Sequence, residues 1–248
     1  MLFRKDRDAP SWSAIDIHSH ILPGLDDGAR DLADTVSMLR IAAAEGISDM
    51  IVTPHFHLGR HIAPPGMVLR TLERVQQIAE TKRIPIRLYP GSEVYYFDDM
   101  VSSLKRKDIL TMNGSDFVLV EFSPAVMFRT MQNAMDGLLN EGYQPILAHV
   151  ERYECLLKDT DSVFFLHDMG VRIQVNASTV TGKNGADGKR FVHRLLQGRV
   201  VDHIGTDAHG HEHRTPEMAQ CRKTIEKKYG DDYAYQILRG NAEEILYP

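Results

Sequence analysis

Residues 16–28 of the chain read DIHSHILPGLDDG. The stretch begins as a short apolar strand pattern, at the end of which His18 and His20 stand one residue apart. Residues two apart in a strand point to the same side, with α-carbons roughly 6.6 Å apart. Both imidazoles can therefore reach one cation, and the adjacent Asp26 and Asp27 follow just beyond the strand.

Further short apolar runs follow along the chain, and many of their residues are β-branched, as in strands that are covered on both faces. The predicted strands are AIDI (14–17), DMIVT (49–53), IRLYPG (86–91), FVLVEF (117–122), PILAHV (145–150), VRIQVN (171–176) and VVDHIGT (200–206). Segments with helical spacing lie between them, at 31–46, 67–80, 128–142 and 189–198. Three of these segments end in glycine, and Asn241 is the predicted N-cap of a last helix.

The alternation of strands and helices predicts an α/β fold with a parallel sheet, in one domain that spans residues 1–248. Periodicity alone leaves open whether the sheet is an open doubly wound sheet or a closed barrel. The segment 181–191, TGKNGADGKRF, is rich in glycine and is predicted to be a mobile loop.

Composition excludes several classes of protein. A net charge of −5 gives no sign of a nucleic-acid surface, which would be strongly basic. The sequence contains no apolar run of the length that a membrane span requires, and residues 1–12 have no apolar stretch typical of a signal peptide. Cys155 and Cys221 are the only cysteines, which excludes a disulfide framework and predicts a cytoplasmic protein.

Metal-capable side chains stand at the ends of most predicted strands, and the carboxyl ends of parallel strands share one face of a domain. Singly, a histidine or glutamate there would more often be structural. Burial of several carboxylates and imidazoles at one end of a sheet would be very costly unless they bind metal. The candidates are too many for one ion and are His18, His20, Asp27, His55, Glu93, Glu121, His149, Asp207 and His209. This mixture of ligands suits Mn, Fe, Zn or Co.

DIHSHILPGLDDG is followed in order by TPHF, GSEVYY, VEFS, LAHVERY and GTDAH, across residues 16–209. This ordered set resembles the polymerase-and-histidinol-phosphatase (PHP) superfamily, and within it the bacterial capsule-associated tyrosine-protein phosphatases. The resemblance implies a distorted (β/α)7 barrel of the TIM-like type. It also implies two to three divalent ions, usually Mn²⁺ with Fe, Zn, Co or Mg as other choices. The implied substrate is a tyrosine-phosphorylated protein, in this family the tail of the membrane-associated kinase that controls polysaccharide export.

The resemblance also divides the predicted ligands among three ions. It implies that the first ion is held by His18, His20, Glu93 and Asp207. Glu93 would bridge to a second ion, which is also held by Glu121 and His149. The third ion would be held by Asp27, His55 and His209. Asp26 is then a turn residue or a support for a ligand, and Gly28 allows the turn.

The chemistry expected of such a centre is hydrolysis of a phosphate ester by a metal-bridging hydroxide. Arginines are expected to bind the free phosphate oxygens, because a guanidinium fork matches them. Arg152 and Arg214 resemble the phosphate-binding arginines of the family, and Arg60 is a further substrate-binding candidate. Asp207 is a candidate proton donor to the leaving group.

Other mechanisms fit the sequence less well. A cysteine-dependent tyrosine phosphatase needs an arginine six residues after its cysteine, but those positions hold Asp161 and Lys227. An amidohydrolase would usually have a metal-bridging lysine where this chain has Glu121. A PHP phosphoesterase for a small molecule, such as histidinol-phosphate phosphatase, would share the metal ligands. A regulatory module without turnover would usually lack some ligands, and none is missing here.

Overall fold

Every predicted strand forms in the computed structural model, which describes residues 12–247. The predicted absence of a signal peptide concerns mainly residues 1–11, outside the described residues. The strands are β1 (Ala14–Ser19), β2 (Ile47–Val52), β3 (His55–His57), β4 (His61–Ile62), β5 (Arg87–Pro90), β6 (Glu93–Tyr95), β7 (Phe117–Glu121), β8 (Gln144–Leu147), β9 (Arg172–Asn176) and β10 (His203–Gly205).

Helices connect most of the strands. They are α1 (Leu32–Ala44), α2 (Pro65–Thr81), α3 (Met100–Lys105), α4 (Phe128–Asn140), α5 (Glu154–Lys158), α6 (Asp161–Asp168), α7 (Ala177–Thr181), α8 (Ala186–Gln197), α9 (Ala219–Tyr229), α10 (Asp231–Tyr235) and α11 (Asn241–Leu246). Short 3₁₀ turns cover Met112–Gly114 and Val150–Arg152, and a π-helical turn covers Gln236–Gly240.

The strands form a ring with seven positions. Two of these positions are each occupied by two consecutive strands, because the chain bends between them. β2 is followed by β3 and β5 by β6, so that one sheet has the order β1-β2-β5 and the other β10-β9-β8-β7-β6-β3-β4. All pairs are parallel except the β3–β4 hairpin. The ring closes at Ser19, which bridges Ala208, and the His20 N–H donates to the Ala208 carbonyl at 2.9 Å. The distorted (β/α)7 barrel is confirmed, and the doubly wound alternative is excluded.

Local signals place most helix ends correctly. Asp31 caps α1 by accepting from the N–H groups of Ala33 and Asp34, and Gly46 follows the helix at a positive φ of 82°. The predicted N-cap at Asn241 is wrong, because the chain enters α11 from the π-helical turn and Asn241 instead donates to the Asp202 carbonyl at 2.7 Å.

The glycine-rich segment 181–191 is only partly a loop. Its second half begins α8, so the prediction of a mobile loop is wrong from Ala186 onward. Gly198 does follow this helix, but in a right-handed conformation, and the left-handed residue is Arg199. Gly198 lies there because a Cβ would come within 2.5 Å of the Phe164 ring.

Two clusters of buried apolar residues form the core. The larger one packs the helices against the strands. The smaller one joins Ile15, Ile17, Leu119 and Ile146 of the strands to Ile245 of α11, so this terminal helix packs against the barrel strands. Within residues 12–247, no helix has the length and apolar character needed to cross a membrane.

His203 of β10 gives a test of this packing. Burial lowers its pKa to about 4, although Asp202 acts in the opposite direction and Arg172 in the same direction. The neutral form is therefore favoured by folding, and its contribution is complete above the ordinary pKa of about 6.5 and lost as the pH falls toward 4. Between pH 7 and pH 5 we expect the chain to lose about 2 kcal/mol of unfolding free energy through this group.

The measurement is urea unfolding of the metal-free chain at both pH values, for the parent and for His203→Leu. Since neither ring nitrogen of His203 has a hydrogen-bond partner within the described residues, leucine is expected to fold and to reduce the pH dependence. His213→Gln, at an exposed position, is the control and should follow the parent. Equal pH dependence in all three proteins would contradict the prediction.

Candidate metal centre

All nine predicted ligands meet at the carboxyl end of the barrel. Their ligand atoms form four overlapping groups, within each of which the atoms lie within 4.8 Å of one another. The groups are His18, His20 and Asp207; His18, Glu93 and His149; His55, Glu93 and Glu121; and His20, Asp27, His55 and His209. Most of these residues are buried or half-buried, and Asp27 is exposed.

The innermost contacts surround Glu93. The Nε2 atoms of His18 and His20 lie 3.2 Å from each other, and each lies 3.2 Å from Glu93 Oε2. Asp207 Oδ1 lies 3.6 Å from the same two nitrogens. Two imidazole nitrogens and two carboxylate oxygens thus face one point, which is the donor set of a bound cation.

Glu93 also joins this point to the next strands. Its Oε1 atom lies 2.8 Å from His149 Nε2, and its Oε2 atom lies 3.0 Å from His55 Nδ1. Glu121 lies beyond, at 3.5 Å from His149 and 3.7 Å from His55. In the parallel ladder His55 stands directly opposite Glu93, so the bend between β2 and β3 brings this histidine into the cluster.

The outer part of the cluster is formed around Asp27. Its Oδ1 atom lies 3.4 Å from the Nε2 atoms of both His55 and His209. His20 belongs to the same group. His55 therefore lies within reach of both Glu93 and Asp27, and the division of the nine residues among separate ions stays a prediction.

Asp26 supports the ligands from behind. It accepts from Nδ1 of His20 at 2.7 Å and from the N–H groups of His55 and Gly28. Burial would raise the pKa of Asp26, but the contact with His20 outweighs it and lowers this pKa to about 2. The bond to Asp26 holds the His20 ring with Nε2 toward the centre of the cluster, as a metal-binding histidine requires.

Without a cation, the carboxylates of the cluster favour protonation of several neighbouring groups. Burial opposes protonation of His18, yet Glu93 and Asp207 outweigh it and raise the pKa of His18. Burial raises the pKa of Glu121 to about 7, and the charge of Glu93 acts in the same direction. Burial lowers the pKa of His149 to about 4, which keeps this imidazole neutral. Bound cations would replace the protons that these groups otherwise hold.

Unpartnered buried atoms provide a second sign that the residues fit metal ions. Within residues 12–247, His55 Nδ1, Glu93 Oε2 and Asp207 Oδ1 are buried without a hydrogen-bond partner. Buried polar atoms are rarely left unpaired, since each unpaired group costs free energy. These three atoms belong to the predicted ligands and face the cluster, so the donor set suits divalent ions.

The backbone adopts rare conformations where it delivers these side chains. His149, Asp207 and Arg214 have positive φ angles of 31°, 51° and 49°. Such conformations are unfavourable for residues other than glycine and are concentrated at functional sites. Gly28 allows the turn that places Asp27, because a Cβ would come within 2.1 Å of the His20 carbonyl oxygen.

The arginine candidates separate into two kinds. Arg152 and Arg214 both pair with Asp207 Oδ2, Arg214 at 2.7 Å. Arg60 is exposed at the β3–β4 hairpin, and its side chain makes no ion pair or hydrogen bond among the described residues. The structure therefore brings two of the three predicted phosphate-binding arginines to the metal cluster. A substrate role for Arg60 stays a prediction.

A cavity of about 660 Å³ begins at these two arginines. Asp207 is the only predicted metal ligand in its wall, whose other residues mostly carry polar side chains and include Lys183 paired with Glu217. Tyr95 and Tyr96 do not line it. Tyr95 stacks on His57 with ring centroids 4.0 Å apart, and Tyr96 packs against Phe122.

Both cysteines are unsuited to nucleophilic catalysis. Burial raises the pKa of the Cys221 thiol, and it also raises the pKa of Cys155. A catalytic cysteine needs the opposite shift, because the thiolate is the nucleophile. Neither cysteine belongs to the metal cluster or to the cavity wall.

Sequence reasoning missed two buried amides on β9. Gln174 and Asn176 contact the cluster, but a pattern of histidines and carboxylates at strand ends does not point to amides. The available signal was their spacing of two residues at the end of a predicted strand, the same spacing as in His18 and His20.

Comparison with known proteins gives the family. The family model described as "Capsular polysaccharide synthesis, CpsB/CapC" matches residues 14–247. Tyrosine-protein phosphatase YwqE from Bacillus subtilis is 30% identical over 232 residues, which cover 94% of this chain and 91% of YwqE. Tyrosine-protein phosphatase CpsB from Streptococcus agalactiae serotype V is 31% identical over 237 residues, covering 94% of this chain and 98% of CpsB.

A solved structure agrees over the same length. It comes from crystal structures of YwqE from Bacillus subtilis and CpsB from Streptococcus pneumoniae, described as unique metal-dependent tyrosine phosphatases. It superposes with a TM-score of 0.89 at 30% sequence identity, covering 94% of each chain. The chain therefore belongs to the CpsB/CapC family of capsular polysaccharide synthesis proteins.

Proposed function

We propose that this chain is a metal-dependent protein-tyrosine phosphatase, carried by one domain, that acts in the cytoplasm on the tail of a membrane-associated bacterial tyrosine kinase. The observation that carries the proposal is the cluster of nine imidazole and carboxylate side chains, most of them buried or half-buried, beside two arginines. The family match and the names of its relatives support tyrosine phosphate as the substrate and capsule synthesis as the process.

The ligands would hold two or three divalent ions, with Mn²⁺ as the proposed native metal. Bound there, such ions supply positive charge for the phosphoryl oxygens and a water molecule acidic enough to ionise near neutral pH. Glu93 is the central ligand, because it reaches His18, His20, His55 and His149. Its Oε2 atom faces His18, His20 and His55, and its Oε1 atom faces His149, so Glu93 connects these four histidines.

Arg152 and Arg214 would bind the phosphate of the substrate. Both guanidinium groups already meet at Asp207 Oδ2, on the side of this carboxylate that faces the cavity, while Oδ1 faces His18 and His20. A phosphate group placed against the arginines would therefore lie beside the metal ligands. A role of Asp207 as proton donor to the tyrosyl oxygen stays a prediction.

The cavity beside the arginines would receive the polypeptide on which the phosphotyrosine is carried. Its volume of about 660 Å³ falls in the range of sites that hold much more than a phosphate group. Ser178, Asn184 and Thr215 lie in its wall and suit polar groups of a peptide. Lys183 and Glu217 offer a charge of each sign.

Metal dependence and substrate class are tested together. After chelation we expect no phosphate release from a tyrosine-phosphorylated peptide, and recovery on addition of Mn²⁺, because the ligand cluster needs cations. Histidinol phosphate is assayed in parallel, with phosphate release as the measurement.

Replacement of Cys155 and Cys221 by serine is the matched control and should leave the Mn²⁺-dependent activity unchanged. Preference for histidinol phosphate would overturn the proposed tyrosine phosphatase activity in favour of a small-molecule phosphoesterase. Bound metal with no turnover of either compound would favour a regulatory module.

The two arginines are tested by Arg152→Ala and Arg214→Ala. We expect kcat/KM for the peptide to fall by about 10²–10³ in each variant, because a donor to the transferring phosphoryl group is lost. Lysine variants should recover only part of this loss, since an ammonium group cannot bind two oxygens as a fork. Arg106→Ala, which removes exposed ion pairs with Asp99 and Asp108, is the control. A fall in bound metal equal to the fall in activity would contradict phosphate binding as the role.

The cavity is tested by Lys183→Ala. We expect KM for the phosphopeptide to rise about fivefold, which corresponds to roughly 1 kcal/mol of lost contacts. Hydrolysis of para-nitrophenyl phosphate, which has no peptide chain, should change less than twofold. Lys158→Ala breaks another exposed lysine–glutamate pair, with Glu154 at 3.1 Å, and is the matched control. Equal effects of Lys183→Ala on both substrates would count against peptide binding in the cavity.

A further inference from the structure

β9 carries none of the nine predicted metal ligands, although it lies between two strands that lead to ligands. Its neighbours are β8, which is followed by His149, and β10, which is followed by Asp207. Gln174 and Asn176 stand two residues apart on β9, and their exposed fractions are 0% and 2%. Fully buried amides must use their hydrogen-bonding groups inside the protein, so their partners indicate their role.

The partners form a continuous chain across the three strands. The His149 N–H donates to Gln174 Oε1 at 2.7 Å, which identifies this atom as the oxygen of the amide. Gln174 Nε2 then donates to Asn176 Oδ1 at 2.9 Å. Asn176 Nδ2 in turn donates to Asp207 Oδ2 at 3.0 Å. Each amide therefore accepts one hydrogen bond with its oxygen and donates one with its nitrogen, and all these hydrogen bonds run in the same direction from His149 to Asp207.

The same chain sets the orientation of His18. Its Nδ1 atom lies 3.3 Å from Gln174 Oε1, and because that oxygen can only accept, Nδ1 must carry the proton. The Nε2 lone pair is then left facing His20 and Glu93. This is the tautomer in which an imidazole binds a metal ion through Nε2.

The surrounding backbone is built around these amides. The Asn176 N–H donates to the buried Glu151 carboxylate at 2.9 Å, which fixes the end of β9. A Cβ on Gly205 would come within 3.0 Å of Gln174 Nε2 and 2.7 Å of the His18 Cβ. Glycine at position 205 thus leaves the room in which Gln174 reaches His18.

We propose that Gln174 and Asn176 are positioning residues that hold His18, His149 and Asp207 in one metal-binding arrangement. Gln174 fixes the tautomer of His18 and the strained backbone at His149. Asn176 donates to Asp207 Oδ2, which also pairs with Arg152 and Arg214, and leaves Oδ1 directed at the metal ligands. The inference rests on the proposed metal ligation and adds to it two residues that bind no metal themselves.

The test is titration of the metal-free chain with Mn²⁺, with free Mn²⁺ measured by electron paramagnetic resonance. We expect Gln174→Leu and Asn176→Leu each to weaken Mn²⁺ binding by about 10- to 100-fold, as loss of a support for a metal ligand does. The double variant should lose much less than the product of the two effects, because either change breaks the same chain.

Two isosteric variants keep the test valid if leucine prevents folding. Gln174→Glu keeps the acceptor for His18 and His149 but cannot donate to Asn176, so its loss should be smaller than that of Gln174→Leu. Asn176→Asp should also weaken Mn²⁺ binding, although it adds a negative charge. Tighter binding by Asn176→Asp would overturn the inference, because charge and not orientation would then control affinity.

Gln76→Leu is the matched control. Gln76 also bridges two elements through its amide, accepting from the Leu88 N–H at 2.9 Å, but it lies on α2 away from the cluster. We expect it to alter thermal unfolding without altering Mn²⁺ affinity. Unchanged Mn²⁺ affinity in the β9 variants, with lower unfolding temperatures only, would reduce their role to packing and overturn the inference. A parent chain that binds no Mn²⁺ would overturn the proposed metal sites and the inference with them.

Discussion

Four carboxylates and five imidazoles meet at one end of the barrel, where most of them are removed from water. Ions buried in this way are costly unless opposite charge and hydrogen bonds surround them closely. The chain meets this requirement only in part with its own residues, through Asp26 and the two arginines. Three of the buried atoms that lack a hydrogen-bond partner among residues 12–247, His55 Nδ1, Glu93 Oε2 and Asp207 Oδ1, belong to the predicted metal ligands, and bound cations would offset the cost of burying them.

Bringing these side chains together also imposes unusual backbone conformations. Parallel strands bring their carboxyl ends together, but the two bends that create β3 and β6 are needed to bring His55 opposite Glu93. Left-handed conformations at His149 and Asp207 then turn these side chains to the cluster. Such conformations cost free energy that packing and hydrogen bonds must offset. The β9 amides provide part of this compensation, since Gln174 accepts the His149 N–H.

The barrel strands and the side chains that meet in the cluster could be predicted from the sequence because both follow simple spacings. Buried parallel strands are short apolar runs, and ligands follow their carboxyl ends, as at His18 and Asp207. Asn241 and Gly198 show where such reasoning fails, because tertiary contacts with Asp202 and Phe164 decide their roles. The closed barrel could be predicted only from the family resemblance and not from periodicity. The Ser19–Ala208 bridge that closes it joins residues far apart in the chain and leaves no local signal in the sequence.

Asp207 links the metal ligands to the surface that would bind the substrate. Its Oδ1 atom faces His18 and His20. Its Oδ2 atom accepts from Arg152, Arg214 and the Asn176 amide. Arg152 and Arg214 pair with the oxygen that faces away from His18 and His20, so their proposed role in phosphate binding can be separated from metal binding. In the proposed function the metal ligands set the reaction class, and only one of them, Asp207, lies in the wall of the cavity beyond the arginines. Substitutions elsewhere in that wall would then alter substrate choice without disturbing the buried charges.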